Sequence, residues 1–99
     1  MIILSPTARQ QITDLRLHYE GLGRPEAIRN LTAAIEGAAA SIARAPDRGL
    51  PAPRPYPGLV SYGWRWVKAG RYWFAYVPDG GDATIAGIFH ETANIPGRV

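Results

Sequence analysis

Four residues in the C-terminal third of the chain have side chains that can act together on a charged group: Lys68, Arg71, His90 and Glu91. Lys68 and Arg71 bring fixed positive charge, His90 titrates near neutrality, and Glu91 can take up or release a proton. A cation beside an acid/base pair is the set needed to stabilise and protonate a developing anion. Among them stand all three tryptophans of the chain, Trp64, Trp66 and Trp73, whose rings can stack on a planar group or anchor a partner protein. Tryptophans also fill the cores of small domains, and a strand-end histidine is commonly structural, so both readings stand for these residues.

Strand register decides whether the groups meet. The runs Trp64 to Lys68, Arg71 to Val77 and Thr84 to His90 are rich in aromatic and β-branched residues and read as three strands joined by two turns. Lys68-Ala69-Gly70-Arg71 reads as a tight hairpin turn and Pro78-Asp79-Gly80-Gly81-Asp82 as a looser one. Pairing Lys68 with Arg71 sets Trp66 opposite Trp73; pairing Val77 with Thr84 sets Trp73 beside Ile88 and Arg71 beside His90. One face then carries Trp64, Trp66, Lys68, Arg71, Trp73, Ala75, Ala86, Ile88 and His90, a surface suited to binding. The other carries Val67, Tyr72, Phe74, Tyr76, Ile85 and Phe89, with Arg65 as its odd member, and suits a helix-covered core. A slip of one residue in either hairpin would reassign the faces.

The preceding half supplies the helices. Ile2-Ile3-Leu4 reads as a short buried strand, ended by Ser5 as helix N-cap and Pro6 in the first helical position. Ala8, Ile12, Leu15 and Tyr19 follow at helical spacing until Gly21-Leu22-Gly23 stops them. A second helix is predicted from Pro25 to Arg44, with Ile28, Leu31, Ile35, Ala38 and Ile42 as its buried stripe and alanines that allow close packing. Five prolines between Pro46 and Pro57 make an extended strap from helix to sheet. Ile95 and Pro96 are expected to pin the C-terminal tail. The fold class is α+β: an N-terminal strand, a two-helix hairpin, then a mainly antiparallel C-terminal sheet, in the order β-α-α-β-β-β.

At 99 residues the chain makes one domain, 1–99, without staples. It has no cysteine, so disulfides and thiol catalysis are excluded. No apolar run reaches the roughly 20 residues of a membrane span, and the Met-Ile-Ile-Leu start lacks a signal peptide's charged head, so no membrane partner and a cytoplasmic location are expected. The net charge of +3 is modest, yet Arg48, Arg54, Arg65, Lys68 and Arg71 follow one another with no acid between Asp47 and Asp79. They make either a positive field or an ordinary solvated surface. His18 reads as a partly exposed helix residue. Neither histidine lies in a metal motif, and phosphate-cradling glycine loops and nucleophile elbows are missing, so no metal, no cofactor and no small-molecule substrate are expected.

The order of elements, the Ser5-Pro6 start with Ala8, Pro46 closing the second helix, and the ending Gly70-Arg71-Tyr72-Trp73-Phe74-Ala75-Tyr76 with Ile85-Ala86-Gly87-Ile88-Phe89-His90 resemble the RelE/ParE superfamily of bacterial type II toxins, closer to the ParE branch. The resemblance implies a growth-inhibiting toxin, of the kind that stabilises plasmids, neutralised by a cognate antitoxin protein. It offers two activities: ribosome-dependent messenger RNA cleavage in RelE-like members, and inhibition of DNA gyrase without catalysis in ParE-like members. The nucleases of the family commonly place an arginine three residues before the tyrosine matched by Tyr76; here that position is Trp73, which can neither donate a proton to a leaving group nor neutralise phosphate. Gyrase inhibition is therefore favoured, with Trp64, Trp66, Lys68, Arg71, Trp73 and His90 as target contacts. The alternatives are an RNase built on Lys68, Arg71, His90 and Glu91, with ribosome and messenger RNA as partners, and a degenerate member that only binds its antitoxin.

Overall fold

The computed structural model describes residues 1–51, 53 and 64–93. The elements are β1 (Ile2–Leu4), α1 (Pro6–Gly21), α2 (Pro25–Arg44), a 3-10 turn (Pro46–Arg48), β2 (Arg65–Ala69), β3 (Tyr72–Asp79) and β4 (Asp82–His90). The sheet runs β1-β4-β3-β2, with β1 parallel to β4 and the other pairs antiparallel. This is the expected α+β order, with β1 as an edge strand supplying one parallel pairing. The proline strap lies largely outside the described residues, as do Arg54, Ile95 and Pro96. Its described start is a 3-10 turn at Pro46–Arg48 instead of extended chain, and Leu50 bridges the outer edge of β2 through paired backbone bonds with Trp66 of 2.8 and 2.7 Å.

Both helices end where local chemistry dictates. The Ala8 amide donates to Ser5 Oγ at 3.0 Å, and Pro6 occupies the first turn, where its missing N–H costs nothing. Gly23, at φ +64°, turns the chain out of α1, and the Gly23 and Arg24 amides donate to the carbonyls of Glu20 and Tyr19. The buried stripe of α2 is Ala27, Leu31, Ala34, Ala38 and Ile42; Ile28 and Ile35 flank it, half-buried. Small side chains on the central line let the helix approach the sheet closely. α1 lies over β4 and α2 over β2, so Tyr72, Phe74, Tyr76, Ile85 and Ile88 form one core with the helices.

The hairpins correct the expected register in two ways. β2 and β3 turn at Gly70-Arg71, pairing Ala69 with Tyr72, Val67 with Phe74 and Trp66 with Ala75. Gly70 sits at φ +57° in the first central position of the turn, where only glycine is comfortable. Each partner moves by two residues, so every side chain keeps its face. Gly80, at φ +63°, plays the same part in the second hairpin, a tight turn closed by the pair Asp79 and Asp82.

The second correction changes faces. Val77 pairs with Thr84 as expected, but Ala86 is an extra residue: Tyr76 faces Ile85, whereas Ala75 faces Gly87. Beyond this bulge Phe74 faces Ile88, Trp73 faces Phe89, and Tyr72 faces His90. Ile88 and His90 therefore leave the tryptophan face for the helix side, and Phe89 joins Trp66, Trp73 and Ala75 in a second cluster with Leu50 and Trp64. Arg71 belongs to the turn and pairs with no strand residue.

The bulge is held from α1. Ser5 Oγ donates to the Ala86 carbonyl at 3.2 Å, and the Ile88 amide donates to Gln11 Oε1 at 2.8 Å. Gln11→Ala removes the acceptor of a part-buried amide and should cost about 1–3 kcal/mol, read by urea unfolding. Gln10→Ala, which breaks only an exposed bond to Asp14, should stay within about 0.5 kcal/mol.

Candidate target-binding surface

The charged residues are positioned by the ends of the strands. Lys68 lies near the end of β2, Arg71 in the turn that follows, and Glu91 just past β4, where its amide donates to the Arg71 carbonyl at 2.8 Å. Glu91 then bridges both cations: Lys68 Nζ lies 2.8 Å from Oε2 and Arg71 Nη1 3.9 Å from Oε1. The hydrogen bond from Lys68 holds the Glu91 carboxyl below the usual carboxylate range; desolvation opposes it, and the charges of Lys68, Arg71 and His90 add to the depression.

His90 stands apart from this trio. Its ring packs edge-on against Tyr72 at 5.3 Å between centroids, and Nδ1 lies 2.8 Å from Thr92 Oγ1. The bulge places it on the helix side, where it lines a groove with Arg71, while Lys68 and Glu91 pair on the tryptophan side.

The tryptophans form a layer. Trp66 is wholly buried and Trp73 retains 6% exposure, whereas Trp64 is half-buried. The Trp66 ring lies 5.8 Å from both Trp64 and Phe89. Its Nε1 has no hydrogen-bond partner among the described residues. Trp66 and Trp73 thus support a surface from beneath; the exposed cation on their face is Lys68, with Arg71 in the adjoining turn. On the outer side of β2 a cleft of about 550 Å³ is bordered by Arg44, Arg48, Lys68, Trp66, Trp73 and Tyr76. Tyr76 is fixed there by donating to the Pro46 carbonyl at 2.7 Å, and burial pushes its phenol up. Gly49 passes so close that a Cβ on it would collide with the Tyr76 hydroxyl and come within 2.8 Å of the Arg65 Cβ.

Arg44, Leu50 and Phe89 were not singled out as site residues from the sequence. Arg44 lies at the end of a helix and Leu50 inside the proline strap, and neither position carries a local signal for this cleft. Among the described residues no group of three His, Asp or Glu side chains is placed to hold a metal ion, and no helix is long and apolar enough to cross a membrane.

The model of the ParE toxin of type II toxin-antitoxin system, parDE, matches residues 2–94. The chain belongs to the ParE toxin family. It is a ParE-type toxin of a ParDE toxin-antitoxin system, which implies an antitoxin partner. Among solved structures it is similar to one described as a chromosomal ParDE TA system from P. aeruginosa, with 16% identity and a TM-score of 0.67 over 90% of this chain and 92% of that one. At that identity the likeness speaks for the fold alone. No curated protein matches the chain.

In this ParE toxin the Lys68–Glu91 pair has a pH signature. A depressed carboxyl pKa means that the pair stabilises the fold above the unfolded-state value and loses this effect as pH falls through the lowered one. Lys68→Ala should therefore move the Glu91 titration up toward the ordinary carboxylate value, followed by NMR of its side-chain carboxyl. Any stability difference between the two proteins should vanish once Glu91 is protonated in both.

Proposed function

We propose that this toxin inhibits DNA gyrase by binding, without catalysis, that it acts in the cytoplasm, and that its cognate antitoxin silences it. The observation that carries the non-catalytic reading is that the acid/base candidates are already engaged by neighbouring side chains. Lys68 and Arg71 face the same carboxylate, Glu91, while the His90 ring packs on Tyr72 and its Nδ1 is bonded to Thr92. An RNase needs a free cation beside a general base and acid, and one missing phosphate contact costs several kcal/mol of transition-state stabilisation. Trp73, at the position of the family's arginine, is buried and carries no charge.

The surface suits binding better. Arg71, with 77% of its side chain exposed, and Lys68 project at the turn end of β2, Lys68 next to its strand partner Trp73, while half-buried Trp64 lies at the other end of the strand. Cations at the rim of an aromatic patch steer and anchor an acidic or DNA-bearing partner. His90 belongs to the opposite side and is left out of this contact set. For the antitoxin, the outer edge of β1 pairs with no strand among the described residues, and Ile3, Leu17 and Leu22 expose large apolar side chains. An added strand or an amphipathic helix would use both features.

Purified toxin should block gyrase supercoiling, with the block weakened about tenfold or more by Arg71→Ala, while messenger RNA ends in induced cells stay intact. Codon-phased cuts abolished by Arg71→Ala or His90→Ala would overturn the gyrase reading in favour of ribosome-dependent cleavage. Loss of toxicity with neither effect would mark a member that only binds its antitoxin. Independently, the product of the adjacent small gene should co-purify with the toxin. Failure to bind would remove the antitoxin assignment.

A further inference from the structure

A second groove, of about 780 Å³, opens on the helix side, between α2 and the turn joining β2 to β3. Its walls are of two kinds. Ala33, Ala34 and Gly37 of α2 give a wall of small side chains, and Arg24, Arg71 and His90 border it with cationic or titratable nitrogen. Among the described residues that line it there is no carboxylate. The Arg24 guanidinium makes no ion pair among the described residues, and the nearest acid to Arg71, Glu91, is engaged at 2.8 Å by Lys68.

The groove also meets an unfinished hydrogen-bond pair. Tyr19 and Tyr72, with 9% and 4% of their surface exposed, share one bond of 2.5 Å between their hydroxyls. Two hydroxyls hold two protons, and a single shared bond uses one of them. The other has no acceptor among the described residues. A hydroxyl proton not used within the pair can be donated to an oxygen bound in the groove. Burial and the bond from Tyr19 push the Tyr72 phenol up, so Tyr72 keeps its proton, while the positive charge of Arg24 acts in the opposite direction.

We propose that this groove binds a small oxyanion attached to a compact apolar body, its charged end held by Arg24, Arg71 and the tyrosine hydroxyls and its body lying along Ala33, Ala34 and Gly37. Oxyanion chemistry follows from the donors: planar guanidinium and hydroxyl groups match the acceptor oxygens of a phosphate monoester or a carboxylate. The apolar body follows from the volume and the wall, since a lone phosphate would leave most of the groove empty. The groove lies on the other side of the sheet from the tryptophan layer and meets the proposed gyrase surface at Arg71, so its test rests on Arg24 and Ala33.

The test uses the full chain, observed by amide NMR while phenyl phosphate, benzoate, inorganic phosphate and phenol are added in turn. Phenyl phosphate or benzoate should shift the Gly37 and Gly70 signals saturably and bind about tenfold or more tightly than inorganic phosphate and phenol. The tighter of the first two identifies the charged group as phosphate or carboxylate. Arg24→Ala, at an exposed position, should weaken that binding about tenfold, and Ala33→Leu, which fills the groove from an exposed helix position, should abolish it with the rest of the spectrum kept. Equal response to phenol and phenyl phosphate, shifts that never saturate, or wild-type binding by Arg24→Ala and Ala33→Leu would each overturn the proposal.

Discussion

One extra residue in the last strand sets the character of both faces of this sheet. With Ala86 unpaired, everything after it in β4 is turned over relative to the half before. The insertion persists because two side chains from the other end of the chain receive its displaced backbone groups: Ser5 at the Ala86 carbonyl and Gln11 at the Ile88 amide. Unpaired backbone groups of this kind cost as much as a lost hydrogen bond when buried, so the bulge and the start of α1 are mutually dependent. Phe89 completes the tryptophan layer and Ile88 the helix-side core only in this arrangement.

The two clusters divide labour between packing and presentation. The helix-side core is built from alanines on α2 and large aromatics on β3, small against large, which brings helix and sheet into close contact. The tryptophan layer has no such partner among the described helices, and its charged rim is organised by Glu91, whose carboxylate fixes Lys68 and lies near Arg71. An acid placed this way orders Lys68 and lowers its availability to a phosphate, while Arg71, farther from the carboxylate, stays largely exposed.

The helices were legible in the sequence because their signals are local. Ser5-Pro6, Gly23 and Pro25 each act on the backbone within a few residues, and the observed helix bounds follow them. The turn at Gly70 was legible in kind but not in register: which of two central positions the glycine takes depends on the sign of φ demanded there, and composition alone leaves that open. The bulge was not legible. Its cause lies 77 residues away at Gln11, a polar residue on a helix with nothing to mark it, and alternation in β4 reads as an unbroken strand. His90 was misplaced for this reason, and Phe89 with it. The burial of Trp66 and Trp73 was equally hidden, since an aromatic run looks the same whether it is a floor or a surface.

The parallel pairing of β1 with β4 has a consequence in time as well as in space. Ile2 pairs with Ala83, and the Met1 amino group makes an ion pair with Asp82, 81 residues on. At roughly 5–20 residues per second of synthesis, the first strand waits about 4–16 s for β4, its one sheet neighbour among the described residues, to be made. Until then its apolar residues have a helical hairpin beside them and no sheet to join. The parallel pairing, the bulge and the Trp66–Phe89 contact therefore form only after β4 has been made.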